Sequence, residues 1–238
     1  MSSAYSIKSS AGLKLNNTTF DLVIFDLDGT LVEFRYRFAE MKQSILDLLA
    51  SMEVYLPLDV VNRPTQDIFD EIANQVRRSG SPDLDIVMGK VNDIIDLYEM
   101  EAATTTTLFE DTRYVLEALK NNGLKIALVT NNGRKATQYM LKKFNLEEFF
   151  DIVITRNDGL RLKPYPDGIL WVLDKVGASR SRTLFVGDST IDVKAGKAAG
   201  VMVAAIRSPF FKSPSDFEIK PDYLLNRLSD ILPLVRRL

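Results

Sequence analysis

The chain has 238 residues, 30 lysines and arginines against 32 aspartates and glutamates, a formal net charge of −2, and 46% hydrophobic residues. That balance argues against a partner held by nucleic-acid backbone or by an anionic bilayer, so neither nucleic acid nor membrane is expected. Cysteine and histidine are both absent, which removes disulfides, thiolate catalysis, Ser-His-Asp triads and His- or Cys-ligated zinc; acid–base work falls to Asp, Glu, Lys or Tyr, and a metal would sit among oxygens, as Mg²⁺, Ca²⁺ or Mn²⁺ do.

The opening MSSAYSIKSSAGLKLNNTTF is rich in Ser, Thr and Asn and lacks an apolar signal core, so 1–19 reads as an N-terminal extension. No run approaches the length that spans a bilayer, and the expected compartment is the cytoplasm. The first buried strand is predicted at LVIFD, 22–26. No strand is predicted over the stretch that follows. Instead 35–52, 64–79 and 81–100 carry amphipathic helical spacing, with Ser81 a candidate cap and Pro82 a first-turn proline. TTTT at 104–107 reads as a β-prone linker returning the chain to the sheet. These helices form an insertion of roughly 70 residues, more than a crossover needs.

From there strands and helices alternate. Helices are predicted over 110–123, 133–146, 166–177 and 189–200, and strands at 124–130, 151–155, 182–188 and 201–206, with a weaker one at 222–225. The apolar runs are rich in Val, Ile and Leu and mostly do not alternate with polar residues, the pattern of parallel strands buried on both faces. The alternation predicts right-handed βαβ units in an open α/β sheet.

Ligands of such a sheet bind beyond the carboxyl ends of its strands. The candidates are therefore the residues that follow each run. Asp26, Asp28, Gly29 and Thr30 follow the first, and Thr130, Asn131 and Asn132 the second. Lys163, in RLKPYPDG, follows the third at a distance; Gly187, Asp188, Ser189 and Asp192 follow the fourth, and Arg207 and Ser208 the fifth.

Each has a plainer reading. Asp28-Gly29 is a common hairpin turn, although helices rather than a partner strand come next. Asn131-Asn132-Gly133 can be a turn and helix start, and Lys163 a solvated loop charge. Asp188-Ser189 can cap the next helix, leaving Asp192 in its exposed first turn. Together they say more. Carboxylates at adjoining strand ends repel unless a cation neutralises them, and without His or Cys the natural choice is Mg²⁺. A lysine, a Thr/Asn pair and the N–H groups opening the helix over 133–146 then remain to hold an anion, which describes a phosphoryl site.

The ordered series DLDGT, TNN, K-P and GDSTID resembles the haloacid dehalogenase-like superfamily from about residue 20 onward. The helical insertion right after the first motif resembles the cap of its phosphoglycolate-phosphatase-like branch. The resemblance implies a Rossmann-like α/β core over 20–33 plus 107–238, with an all-helical cap over 34–106. It implies a Mg²⁺-dependent phosphatase acting on a small phosphomonoester, phosphoglycolate-like or sugar-phosphate-like, through an aspartyl-phosphate.

In that scheme Asp26 is the nucleophile, and Asp28 protonates the leaving group and then deprotonates water. Thr130, the Asn131 backbone and Lys163 meet the phosphoryl group beside Gly29, which permits the tight exit from the strand. Asp26, the Asp28 carbonyl and Asp188 hold Mg²⁺. Asp192, Thr30 and Asn132 support them, Thr30 by a hydrogen bond near Asp28. A phosphomutase would use the same two aspartates but return the phosphoryl group to substrate; a non-catalytic phosphate-binding domain is a third reading. Haloacid dehalogenation attacks carbon and needs no acid two residues after its nucleophile. Substrate choice falls to the cap, where Arg35 and Arg37 can meet a substrate carboxylate or lie on a solvated face.

Overall fold

The computed structural model describes residues 19–33, 35–57, 59–208 and 218–235, so nearly all of the expected extension over 1–19 lies outside the described residues. The chain opens on β1 (Leu22–Phe25) and then runs through three helices, α1 (Phe38–Ser51), α2 (Thr65–Ser79) and α3 (Leu84–Thr105). It returns through α4 (Thr112–Asn121), β2 (Lys125–Val129), α5 (Arg134–Lys143), β3 (Ile152–Ile154), α6 (Asp167–Val176), β4 (Thr183–Gly187), α7 (Thr190–Ala199), β5 (Met202–Ile206) and β6 (Tyr223–Leu225). The strands form one sheet in the order β3-β2-β1-β4-β5-β6, every pair parallel.

β1 lies inside the sheet and is buried on both faces. Val23 and Phe25 pack with Val115, Leu119 and Met140 of α4 and α5; Leu22 and Ile24 pack with Ile169, Val172 and Ala195 of α6 and α7. Each residue of the strand thus needs an apolar side chain, which is why the run does not alternate. The three inserted helices have a core of their own. Met41, Ile45 and Leu49 of α1, Ile68, Ile72 and Val76 of α2, and Val87, Val91 and Ile95 of α3 each repeat every four residues and bury against one another. The architecture is an open Rossmann-like parallel sheet with an inserted helical cap.

Two local expectations are corrected. Ser81 does not cap α3: Asp83 does, its Oδ1 accepting from Asp85 N at 2.9 Å and Ile86 N at 3.2 Å, which leaves Pro82 outside the first turn. A carboxylate in reach of two free N–H groups outcompetes a hydroxyl two residues further out. TTTT is only half a linker. Thr104 and Thr105 finish α3, with their hydroxyls donating to Glu101 O at 2.7 Å and Ala102 O at 3.2 Å. Thr106 then leaves the helix and donates through Oγ1 to Glu33 O at 2.5 Å, while Glu33 N donates to Thr107 O at 2.9 Å. The outgoing and returning segments are stitched together where the insertion begins and ends.

Register decides where the functional groups emerge. Phe25 pairs with Leu128 on one side and Val186 on the other. Asp26, Thr130 and Asp188 therefore leave the sheet at the same edge. α7 reaches that edge by approaching closely at Gly196, where a Cβ would stand 2.5 Å from Val203 Cγ2 and 3.1 Å from Phe185 Cδ1. Both neighbours are fully buried and have no room to yield. Gly196→Val is therefore expected to lower unfolding stability by about 1–3 kcal/mol through overpacking, read as a lower urea midpoint. An unchanged midpoint would show that α7 can shift off the sheet.

Candidate active site

The exit from β1 is a tight loop. Leu27 O accepts from Leu31 N at 2.8 Å and Val32 N at 3.1 Å, and Gly29 N donates to Val32 O at 2.8 Å. No returning strand follows directly. Val32 instead pairs with Leu108, on the far side of the insertion, so the hairpin reading of Asp28-Gly29 is displaced. Gly29 has φ of +75°, and a Cβ there would lie 2.1 Å from Asp188 Oδ2. Glycine is thus required twice over, by backbone conformation and by the approach of Asp188.

Asp26 is the first residue past β1 and is buried, its N–H donating to Val186 O at 2.9 Å. Lys163 Nζ lies 2.5 Å from Asp26 Oδ1 and 2.6 Å from Asp192 Oδ1, with both Lys163 and Asp192 buried. Lys163 is no solvated loop charge. Asp192 is equally far from an exposed first-turn residue. Its Oδ2 accepts from Ser189 Oγ, from Ser189 N at 3.1 Å and from Asp188 N at 3.3 Å, closing a capping box at the start of α7. Gly187 makes room for it, since a Cβ there would stand 2.5 Å from Asp192 Cβ. Helix capping and lysine anchoring share one carboxylate.

Asp26, Asp188 and Asp192 each offer an oxygen, all within 4.8 Å of one another. Burial pushes Asp26 up to about 7, helped by Asp192 and Asp28 and opposed by Lys163. It pushes Asp188 up to about 8, with Asp192 and Asp26 adding to the effect. Burial alone would lower Lys163, but Asp192 and Asp26 outweigh it and hold the ammonium well above its ordinary range. Asp26 and Asp192 share one lysine and the half-buried Asp188 lies beside them, so the cluster lacks positive charge, and its hard oxygens suit a divalent cation. Both Asp192 oxygens already accept hydrogen bonds, leaving Asp26 and Asp188 as the freer donors.

Asp28 stands outside that cluster. Its Oδ2 accepts from Asn132 Nδ2 at 2.6 Å. Burial raises it to about 6, against the Asn132 bond and Lys163. Thr130 is buried at the end of β2, and its Oγ1 accepts from Asn132 N at 3.2 Å. The Asn131 side chain makes a reciprocal pair with the Lys163 backbone: Asn131 Nδ2 donates to Lys163 O and Lys163 N to Asn131 Oδ1, both at 3.0 Å. Asn131 therefore fixes the lysine loop, a function its sequence position did not suggest. The bond expected from Thr30 is not made. Thr30 is fully enclosed in the turn, its N–H donates to Leu27 O at 3.3 Å, and Oγ1 has no partner among the described residues.

Sequence reasoning also missed the joint between cap and core. Arg156, just past β3, is buried and donates to Glu99, Asp96 and, at 3.1 Å, Asn92 Oδ1, all on one face of α3. Glu99 in turn accepts from Gly133 N at 2.8 Å, and Arg156 N donates to Asn132 O at 2.9 Å. Burial pushes Glu99 up to about 7 despite Arg156. A signal existed: Glu99 sits in the stripe Val87, Val91, Ile95, Glu99, Ala103, the one charge among buried positions of α3. Arg35 and Arg37 are already answered, Arg35 by Glu33 at 2.5 Å and Arg37 by Glu40 and Glu101 at 2.5 Å each. Between cap and core, against Asp28 and Asn132, a cavity of about 10 Å³ is lined by Tyr36, Glu99 and Arg35.

A family model described as haloacid dehalogenase-like hydrolase matches residues 23–206. The chain belongs to the haloacid dehalogenase-like hydrolases. Among curated relatives, a Bacillus cereus pyrophosphatase PpaX is 32% identical over 218 residues, covering 90% of this chain and 95% of its own. PpaX of Bacillus pumilus is 28% identical over 225 residues, 93% of this chain and 99% of that one. A haloacid dehalogenase-like hydrolase structure from Bacteroides fragilis superposes with a TM-score of 0.64 at 24% identity, covering 90% of this chain and 100% of the other, a likeness of fold. No helix of the described residues is long and apolar enough to cross a membrane.

The raised carboxyls would give a cation held by this cluster a definite pH dependence. With Asp26 held near 7 and Asp188 near 8, the cation-free cluster carries protons that a cation must displace. Mg²⁺ affinity, measured by titration calorimetry, is expected to rise between pH 6 and pH 8 by up to about tenfold per pH unit for each proton released. The folded state binds these protons more tightly than the unfolded chain, whose aspartates titrate near 3.9. The cation-free fold should accordingly lose stability as pH rises from about 4 to the folded values of about 7 and 8, levelling off above them, and added Mg²⁺ should reduce that loss. An affinity flat across this range would rule out protonated carboxyls in the empty cluster.

Proposed function

We propose that the chain is a Mg²⁺-dependent phosphatase that hydrolyses a compact phosphate monoester or anhydride through an aspartyl-phosphate on Asp26. The observation that carries this reading is the division of the carboxylates. Asp26 is held by Lys163 beside Asp188 and Asp192, while Asp28, two residues on, is held apart by Asn132. One group can stay ionised and attack while its neighbour handles a proton.

Asp26 attacks phosphorus, a new O–P bond forms, and the bond to the leaving oxygen breaks as Asp28 protonates that oxygen. Asp28 then takes a proton from the water that attacks the aspartyl-phosphate, releasing phosphate and restoring Asp26. Lys163 favours the charged form of the nucleophile against the effect of burial and, with the Thr130 hydroxyl and the Asn131 N–H, meets the phosphoryl oxygens. Asn132 aims the Asp28 carboxyl. Asp26, Asp188 and the Asp28 carbonyl would hold the cation, with Asp192 fixing Lys163 and the turn behind them. When bound, Mg²⁺ supplies the positive charge that lets an anionic nucleophile meet an anionic substrate.

We place the core at 20–33 plus 107–238 and the cap at 34–106; the stitching of Glu33 to Thr106 and Thr107 supports that boundary. The cavity against Asp28 is about 10 Å³, room for about one water. A second cavity, of about 490 Å³, opens past Gly29 and Asp188 toward Phe109 and Arg227, so the cavities leave the size of the leaving group to a substrate panel. The name carried by the PpaX relatives makes pyrophosphate the first compound to try.

A panel of pyrophosphate, phosphoglycolate, sugar phosphates and nucleotides, assayed for phosphate release with and without Mg²⁺, tests the reading. Release is expected for the compact members, without a bisphosphate activator, and is expected to stop when the metal is chelated. Asp28→Asn should lower kcat by about 10²–10⁴-fold, and Asp26→Asn by at least as much, with circular dichroism unchanged. Near-normal turnover in Asp26→Asn would sink the mechanism.

A further inference from the structure

Lys163 does not stand on a strand or a helix. It is carried by the loop between β3 and α6, and its backbone is held from two sides. On the core side Asn131 Oδ1 accepts the Lys163 N–H at 3.0 Å. On the other side the adjacent N–H, that of Leu162, donates to Gln66 Oε1 of α2 at 2.9 Å. The cap therefore touches the peptide next to the lysine.

Around that bond the start of α2 grips the loop on both flanks of Lys163. Arg161 Nη2 pairs with Asp70 Oδ2 at 2.6 Å, and Tyr165 Oη donates to Asp67 Oδ1 at 3.2 Å. The Arg161 guanidinium lies 3.4 Å over the Tyr165 ring, drawing the two flanks together. Gln66 Nε2 donates to Asp70 Oδ1 at 2.8 Å, which orients the amide whose oxygen meets Leu162. Leu162 is itself buried and its bond to Gln66 is partly shielded from water, so losing the acceptor costs more than it would on an open surface.

We propose that Gln66 and Asp70 are positioning residues for Lys163, so that seating of the cap is read directly by the loop that carries the lysine. Neither residue touches the phosphoryl site. They act through the backbone, by fixing a loop whose terminal Nζ must stay within hydrogen-bond reach of Asp26. With the cap seated, the loop is held by core and cap together; with the cap lifted, the core contacts remain, the Asn131 pair on the backbone and the Lys163 ammonium on Asp26 and Asp192. The inference rests on Lys163 serving the phosphoryl chemistry proposed above.

The test uses the full chain and three variants. Gln66→Met keeps the side chain's length and removes its acceptor. Asp70→Ala, at a half-exposed residue, removes the Arg161 pair without disturbing a core. Gln75→Met is the control, since among the described residues the Gln75 side chain bonds along α2, to Glu71 Oε1 at 2.7 Å. Hydrogen exchange over 160–166 is compared with kcat and KM for a compact phosphate compound that the wild type turns over. Gln66→Met and Asp70→Ala are expected to speed exchange in this loop and to lower kcat about tenfold, with KM shifted less than about twofold. Gln75→Met should change none of these.

Unaltered exchange in the two test variants overturns the proposal, and so does faster exchange with kcat intact. A fall in KM-dependent binding with kcat preserved also overturns it, because that marks a substrate contact and not positioning. A wild type that releases phosphate from no compound overturns the phosphatase reading instead. The exchange comparison needs no substrate and would still decide whether α2 holds the loop.

Discussion

The buried ammonium of Lys163, shared between Asp26 and Asp192, is the interaction on which the rest depends. A lysine taken out of water is costly unless it is paired, and so is each aspartate. Neither partner could occupy its place alone. The pairing is also unbalanced by design: one positive charge faces Asp26 and Asp192 directly, with Asp188 and Asp28 close behind. The result is a cluster that tolerates burial yet still attracts a cation; burial first, and the neighbouring carboxylates after it, raise Asp26 and Asp188. Stability and function are coupled here through electrostatics, since the property that strains the empty site is the one that fits it to a metal and a phosphoryl group.

Backbone constraints bring the charges together. Asp188 can approach the loop after β1 only because Gly29 has no side chain, and Asp192 can fold back over the end of β4 only because Gly187 has none. Asp192 then serves two purposes with two oxygens. Oδ2 closes the capping box of α7, and Oδ1 holds Lys163. Loss of the Asp192 carboxyl would therefore open the capping box and release the lysine together. That shared use explains why a residue one turn into a helix is fully buried, where a capping carboxylate is ordinarily exposed.

The α/β core was legible because its signals are local. Buried parallel strands leave unbroken apolar runs, so all six were visible, and their ends located Asp26, Asp28, Thr130, Lys163, Asp188 and Asp192 before any coordinates. What stayed hidden depends on long-range packing. Arg156 is one residue past the expected strand at 151–155 and could have been included among the strand-end groups, but its partners Asp96 and Glu99 lie about 60 residues away, a separation no periodicity reveals. Asn131 is expected to offer its backbone to the phosphate; the pairing of its side-chain amide with the Lys163 backbone is a separate link that only the folded loop creates. Thr30 failed for the opposite reason, since a tight turn enclosed its hydroxyl with nothing to meet. Gln66 and Asp70 belong to an ordinary amphipathic helix, where polar residues on the outer face read as solvated.

The two ends of the cap are joined to the core by different physics. At the end of α3, Ala103 and Met100 join the apolar core beneath the sheet, and Lys143 Nζ donates to the carbonyls of Ala103, Thr104 and Thr106 at 3.2, 2.9 and 2.9 Å. Those carbonyls have no partners further along the helix, so the lysine both caps α3 and answers its dipole. At the start of α2 the contacts to the core are hydrogen bonds and an exposed ion pair. Polar contacts exchange with water at small net cost, whereas apolar contacts do not. Separation is therefore cheapest at the α2 end and dearest beside the stitched linkers. The arrangement puts the releasable contacts against Lys163 and the durable ones at the boundary of the insertion, so the part of the cap that can leave most easily is the part that holds the lysine loop.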